Sequence, residues 1–258
     1  MLNSLFSLEG KVAIVTGGAG YLGREMSKIL SEAGAHVIIA SRNLEKLKLL
    51  AEEINRGGGK ADVLQFDMTI QDSVNEMVQK TVDRYGKIDI LVNNASGGAT
   101  NTVEDMTLEE WNLGFAAGVT GYFLCTKTIG SIMKKERKGS IINVASILGF
   151  MGDDQRRYIN RMPPANYSAS KGAIIQLTRY LATYWASYGI RVNTLSPGPF
   201  PPDGAFSSLK MDEIEKKVPL GRIGKPEEIA GPLLFLASDA SSYVTGHNLV
   251  ADGGWSVW

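Results

Sequence analysis

Tyr167 and Lys171 stand four residues apart in "NYSASK" (166–171), so on a helix their side chains share one face, a single turn apart. A phenol with an ordinary pKa of ~10 is a poor base at neutral pH, but neighbouring positive charge favours the phenolate. Bringing that pKa near 7 takes about 4 kcal/mol, which two close cations in a partly dry site can supply. Such a phenol can give a proton to a substrate oxygen or take one away. The second chemical feature is "VTGGAGYLG" (15–23), where Gly17, Gly18, Gly20 and Gly23 lead from an apolar run into a helical one. At that junction a dinucleotide pyrophosphate meets unpaired backbone N–H groups. A bare strand-to-helix turn uses the same glycines, so the loop alone does not decide the matter.

Placing these groups together requires a scaffold, and the apolar pattern predicts one. Short β-branched runs at 11–16, 36–40, 61–66, 88–93, 140–145, 190–195 and 247–251 read as strands. Helical spacing lies between them, near 22–33, 43–56, 70–85, 107–136, 165–188 and 226–237. Strands apolar on both faces and separated by helices imply a parallel sheet covered on two sides. The expected fold is therefore α/β: one doubly wound Rossmann-type domain over 1–258, with about seven parallel strands flanked by helices. "SPGPFPPDGAF" (196–206) cannot continue a strand or helix and reads as a substrate-side loop, opening a lid region near 199–220.

Composition narrows the partners. The 258 residues carry 27 basic and 27 acidic side chains, which leaves no net field for nucleic acid or an anionic membrane. Cys125 is the only cysteine, and His36 and His247 form no ligand cluster, so no disulfide and no metal are expected. No signal peptide or membrane span is read in the sequence, and a cytoplasmic location is the expectation.

Several motifs then agree in order. "TGGAGYLG" resembles the glycine loop of the short-chain dehydrogenase/reductase family, and "NNAS" (93–96) resembles that family's Asn-Asn-Ala-Gly. Ser146, Tyr167 and Lys171 follow in the family's order, with "NTLSPGP" (193–199), "RIGKPEEIA" (222–230) and "VTGHNLVADGG" (244–254) completing it from Lys11 to Gly254. The resemblance implies a nicotinamide-dependent enzyme that interconverts a secondary alcohol and a ketone, assembled as a homotetramer. Tyr167 would be the proton donor and acceptor, Lys171 would hold the nicotinamide ribose and tune the phenol, and Ser146 would steady the substrate oxygen. The cofactor would rest on Gly17, Gly18, Gly20, Tyr21, Leu22 and Gly23. Asp67 and Met68 would border the adenine, Asn93, Asn94 and Ala95 would line the path to the nicotinamide, and Pro197 and Gly198 would follow the sixth strand.

Ser41 stands where an acidic residue would accept the ribose hydroxyls of NAD, and Arg42 follows it, so NADP is expected in preference to NAD. Three positions depart from the family pattern. Tyr21 replaces the loop's middle glycine, Gly118 replaces an asparagine whose backbone carbonyl serves a proton relay, and Pro202 stands where a threonine would touch the nicotinamide. These departures leave open a non-catalytic, dinucleotide-binding regulatory protein.

Between Ser146 and Tyr167 lies a longer gap than the family usually has, with an insertion near 150–164 that contains Asp153, Asp154, Arg156, Arg157 and Arg161. The three arginines could bind a substrate carboxylate or phosphate. A solvated loop paired with the two aspartates, or a contact with a neighbouring subunit, would use the same residues. "VIIASRNLEKL" is similar to gluconate 5-dehydrogenase-like members, which points to a sugar acid, sugar or sugar derivative. Reduction of a 3-oxoacyl carrier-protein thioester is the alternative.

Overall fold

The computed structural model describes residues 2–95, 101–152, 154, 164–201 and 211–258. Arg156, Arg157, Arg161 and Pro202 lie outside the described residues, so the charged insertion is not placed. The chain begins with a short helix α1 (Leu2–Phe6) and then alternates β1 (Val12–Thr16), α2 (Tyr21–Glu32), β2 (His36–Ser41), α3 (Leu44–Arg56), β3 (Lys60–Gln65), α4 (Gln71–Tyr85) and β4 (Ile90–Asn93). The second half runs α5 (Leu108–Phe115), α6 (Gly121–Glu136), β5 (Gly139–Val144), α7 (Ala165–Trp185), β6 (Ile190–Pro197), α8 (Met211–Lys217), α9 (Ala230–Ala237) and β7 (Asn248–Ala251).

All seven strands pair in parallel in the order β3-β2-β1-β4-β5-β6-β7. Side chains of a strand alternate between faces, and the core divides accordingly. Val12, Ile14, Ile38, Ile141 and Val192 pack on one side with α4, α6 and α7. Ala13, Val15, Val37, Ile39 and Ile142 pack on the other with α2, α3 and α9. This two-sided burial is why the strands read as unbroken apolar runs. The sheet order reverses between β1 and β4, where Thr16 lies opposite Asn93, and the loops leaving those strands open a crevice at their carboxyl ends.

Two details differ from the sequence reading. The helix expected over 107–136 is interrupted by a π-helical turn at Ala116–Thr120, closed by Gly121 N–H donating to the Ala116 carbonyl. Thr107 caps the start of α5 through a reciprocal box with Glu110, which fixes where the segment begins. The terminal "GGWSVW" reads as setting Trp255 and Trp258 against a partner chain, but Trp255 does not need one for its burial. It packs inside the chain with Ile147, Ile214 and Val218, whereas Trp258 stays exposed and donates its indole N–H to the Lys217 carbonyl at 2.8 Å. No helix among the described residues is long and apolar enough to cross a membrane.

Candidate active site

Ser146 leaves the end of β5 and caps a short 3-10 turn, Ile147–Gly149, its Oγ accepting the Leu148 N–H at 3.2 Å. That turn must lie directly against α7 if Ser146 is to reach Tyr167. It does so because position 149 has no side chain: a Cβ there would lie 2.7 Å from the carbonyl carbon of Lys171. Gly172 faces the same crossing, its own missing Cβ 3.0 Å from the Gly149 carbonyl oxygen. The approach sets the Ser146 hydroxyl beside the Tyr167 phenol, close enough to favour its ionised form.

Lys171 is buried and donates to the Val144 carbonyl at 2.8 Å, with its Nζ 5.5 Å from the centre of the Tyr167 ring. Tyr122 of α6 donates its hydroxyl to the same carbonyl at 3.1 Å, and Lys171 Nζ sits 5.4 Å from the centre of its ring. The ammonium is thus pinned between a strand end and two aromatic faces.

The electrostatics correct one expectation. Burial raises the Tyr167 pKa above its ordinary value, partly offset by the Ser146 hydroxyl, which favours the phenolate. Burial lowers Lys171 to about 8. The sequence reading relies on the ammonium together with the positive nicotinamide to draw the phenol down; among the chain's own groups the dry surroundings penalise both charged forms, and the Lys171 N–H is directed to Val144 rather than to the phenol. A titration consequence follows. A folded lysine near 8, against ~10.4 unfolded, costs stability while pH is below the folded value, and the cost fades as pH rises from about 8 through the unfolded value. The Lys171→Met variant is expected to lose this rise, of order 3 kcal/mol, in chemical denaturation between pH 7.5 and 10.5. Equal slopes for both proteins would contradict it.

These groups open into one cleft of about 1410 Å³. Ser146, Tyr167 and Lys171 line its inner end, Gly17, Gly20, Tyr21 and Leu22 the glycine-loop wall, and Pro197 and Gly198 the wall opposite. Ser41, Arg42, Asp67 and Met68 form the outer rim, with Asn94 and Ala95 between. The fit to an extended dinucleotide rests on the loop itself. Gly17 adopts φ +62°, and a Cβ there would lie 2.8 Å from Ala95 Cα, so only glycine lets the two switch-point loops meet. Asn94 ties them, its backbone N–H reaching Thr16 Oγ1 at 3.0 Å and its side-chain amide the Gly17 carbonyl at 3.1 Å. The first N–H groups of α2, which begins at Tyr21 just after Gly20, then face the cleft without a side-chain cap, as anion binding requires.

Four expected residues stand behind the lining. A Cβ on Gly18 would lie 2.8 Å from Ile39 Cγ2, and one on Gly23 would overlap the Gly17 carbonyl oxygen, so both serve packing of the loop. Asn93 points into the sheet, donating to Thr126 and Asn143 at 2.9 Å each, and does not border the nicotinamide path. Gly118 is buried in the π turn against Ser170, while Ala116 and Ala117 reach the cleft. Tyr122, Val144 and the Gly149–Gly172 crossing were not singled out from sequence. The glycines directly after "SIL" and "SK" were the available signal.

The comparisons with known proteins agree with this geometry. The family model described as enoyl-(acyl carrier protein) reductase matches residues 18–256. The 3-oxoacyl-[acyl-carrier-protein] reductase of Thermotoga maritima is 37% identical over 96% of this chain and 98% of its own. A short-chain type dehydrogenase/reductase from Mycobacterium marinum superposes with a TM-score of 0.92 at 36% identity over the whole of both chains. A gluconate 5-dehydrogenase from Burkholderia cenocepacia, solved in complex with NADP and tartrate, does so at 0.90 and 32%, again over both full chains. With matching motifs, strand order and near-complete coverage, this chain belongs to the short-chain dehydrogenase/reductase family and is an oxidoreductase.

Proposed function

We propose that the enzyme interconverts a secondary alcohol and a ketone with NADP(H) in preference to NAD(H), on a small, polar substrate that is hydroxylated or acidic. The observation that carries the reaction type is the meeting of Ser146, Tyr167 and Lys171 at the inner end of a cleft whose outer rim suits an adenosine phosphate. A bound nicotinamide dinucleotide supplies the hydride and, when oxidised, a positive ring charge. The chain's own groups manage the oxygen. Ser146 holds it by hydrogen bonding, Tyr167 delivers the proton in reduction and removes it in oxidation, and Lys171, fixed on Val144, provides positive charge behind the phenol.

At the rim, Ser41 ends β2 with no carboxylate, and Arg42, Glu45 and Lys46 line the same opening, two cations to one carboxylate. Asp67 is engaged elsewhere, its carboxylate accepting the Thr69 N–H at 2.9 Å and the Thr69 hydroxyl at 2.7 Å, which holds its pKa below the ordinary value. This arrangement favours a 2′-phosphate. Ser41→Asp is expected to lower kcat/KM with NADPH by about 10- to 100-fold, because it sets a carboxylate beside that phosphate. An unchanged ratio of NADPH to NADH efficiencies would show that the rim does not select.

The substrate class is supported by the similarity of "VIIASRNLEKL" to gluconate 5-dehydrogenase-like proteins and by the three arginines of the insertion. A second reading, a 3-oxoacyl thioester, is favoured by the Thermotoga maritima relative. Turnover with NADPH on oxo-acids and ketoses, set beside acetoacetyl thioesters, separates them. Activity confined to thioesters would overturn the polar-substrate reading, as would unchanged kcat/KM in Arg156→Ala, Arg157→Ala and Arg161→Ala on the best oxo-acid. A homotetramer belongs to the same proposal: Tyr180 and Tyr184 of α7, stacked 5.9 Å apart, and Phe123 of α6 are exposed apolar groups available for it.

A further inference from the structure

Tyr21 is the first residue of α2, at the place where the cleft presents the helix N-terminus, and its ring is 38% exposed. Its hydroxyl does not point to solvent alone: it donates to the carbonyl of Pro201 at 3.0 Å, across 180 residues of sequence. Pro201 lies in the stretch 198–201 that follows β6, and residues 198–200 of that stretch are held at several points. Gly198 N–H bonds to the Ala251 carbonyl at 2.9 Å, Gly224 N–H bonds to the Pro199 carbonyl at 3.0 Å, and the Phe200 ring packs so closely on Gly224 that a Cβ there would overlap it. Tyr21 therefore joins the glycine-loop wall to the opposite, anchored wall, over the helix terminus where a pyrophosphate would rest.

We propose that Tyr21 is a clasp on the cofactor, a positioning residue that slows dinucleotide release by bridging the two walls to Pro201. The inference rests on the reading of the cleft as a nicotinamide dinucleotide site. Release requires the phenol to let go of the Pro201 carbonyl and the ring to swing clear, because the other side of the bridge is held to β7 and to the 222–225 turn. Loss of one such solvent-accessible hydrogen bond corresponds to a rate change of about three- to ten-fold. The bridge is closed in this structure, so cofactor association requires the same opening as release.

Release of NADPH is measured by stopped-flow fluorescence after mixing the loaded protein with excess NADP, for wild type, Tyr21→Phe and Tyr21→Ala. Tyr21→Phe, which keeps the ring and loses only the hydroxyl, is expected to release NADPH about three- to ten-fold faster, and Tyr21→Ala at least as fast. The single-turnover rate of hydride transfer, read on the same loaded proteins, separates the two steps: a loss there larger than the gain in release rate would assign Tyr21 to hydride transfer and overturn the clasp. Release rates within two-fold of wild type in both variants would overturn the clasp and leave the site reading intact. A wild-type protein that gives no NADPH or NADH binding signal would overturn both.

Discussion

Replacing Tyr167 by phenylalanine is expected to lower kcat by at least about 10³-fold while NADPH binding changes little. Among the described residues at the inner end of the cleft, the phenol lies beside Ser146 and can carry the proton. Phenylalanine preserves the ring and the shape of the wall, so the loss isolates the hydroxyl. A fall of that size corresponds to about 4 kcal/mol of transition-state stabilisation, more than a single neutral hydrogen bond contributes to stability, and so reports proton transfer rather than loosened packing. Steady-state kinetics with NADPH and the best ketone, beside fluorescence titration of NADPH, reads both quantities. Comparable kcat in the variant would remove Tyr167 from the chemistry.

The second large effect arises from packing. Gly149→Ala places a methyl 2.7 Å from the carbonyl carbon and 2.8 Å from the carbonyl oxygen of Lys171. Both are backbone atoms, so no side chain can swing away and the 3-10 turn and α7 must separate. Ser146 belongs to one of those elements and Tyr167 and Lys171 to the other. A displacement of about 1 Å between reacting groups costs on the order of 100-fold in rate. The expected result is a kcat lower by about that factor, with thermal unfolding shifted by only a few degrees, since over-packing costs about 1–3 kcal/mol. Gly231 of α9, away from the cleft and with nothing among the described residues for a Cβ to meet, provides the control: Gly231→Ala should leave kcat unchanged. A Gly149→Ala enzyme at full speed would show that the crossing does not set the geometry.

Strands and most helices were legible because each reflects burial. β1, β2 and β4 are apolar on both faces since helices cover both. The glycine loop, Tyr167 and Lys171 stood out by type and spacing, while Ser146 and the roles of all three rested on the family resemblance. What the sequence concealed depends on distance across the fold. Nothing in "WNLGFAAGVTGYF" reveals that Gly121 donates one residue further back than an α-helix allows. Asn93 and Asn94 are identical in type and adjacent, yet one turns into the sheet and the other onto the glycine loop, following the alternation of β4 as it ends. The raised Tyr167 pKa was likewise hidden, because it follows from how much water the assembled walls exclude. Trp255 read as an interface residue only because its partners, Ile147 and Ile214, lie far away along the chain.

The central claim is that this chain moves a hydride to a carbonyl carbon while Tyr167 supplies the proton to its oxygen. Incubation with NADPH carrying deuterium at C4, stereospecifically on each face in turn, and with the ketones and thioesters above, followed by mass spectrometry of the alcohol, tests it directly. The account predicts one deuterium on the carbinol carbon from one face only with wild type, and none above background in the same time with Tyr167→Phe. A protein that binds NADPH tightly and labels no substrate, or a Tyr167→Phe variant that labels as fast as wild type, would contradict it.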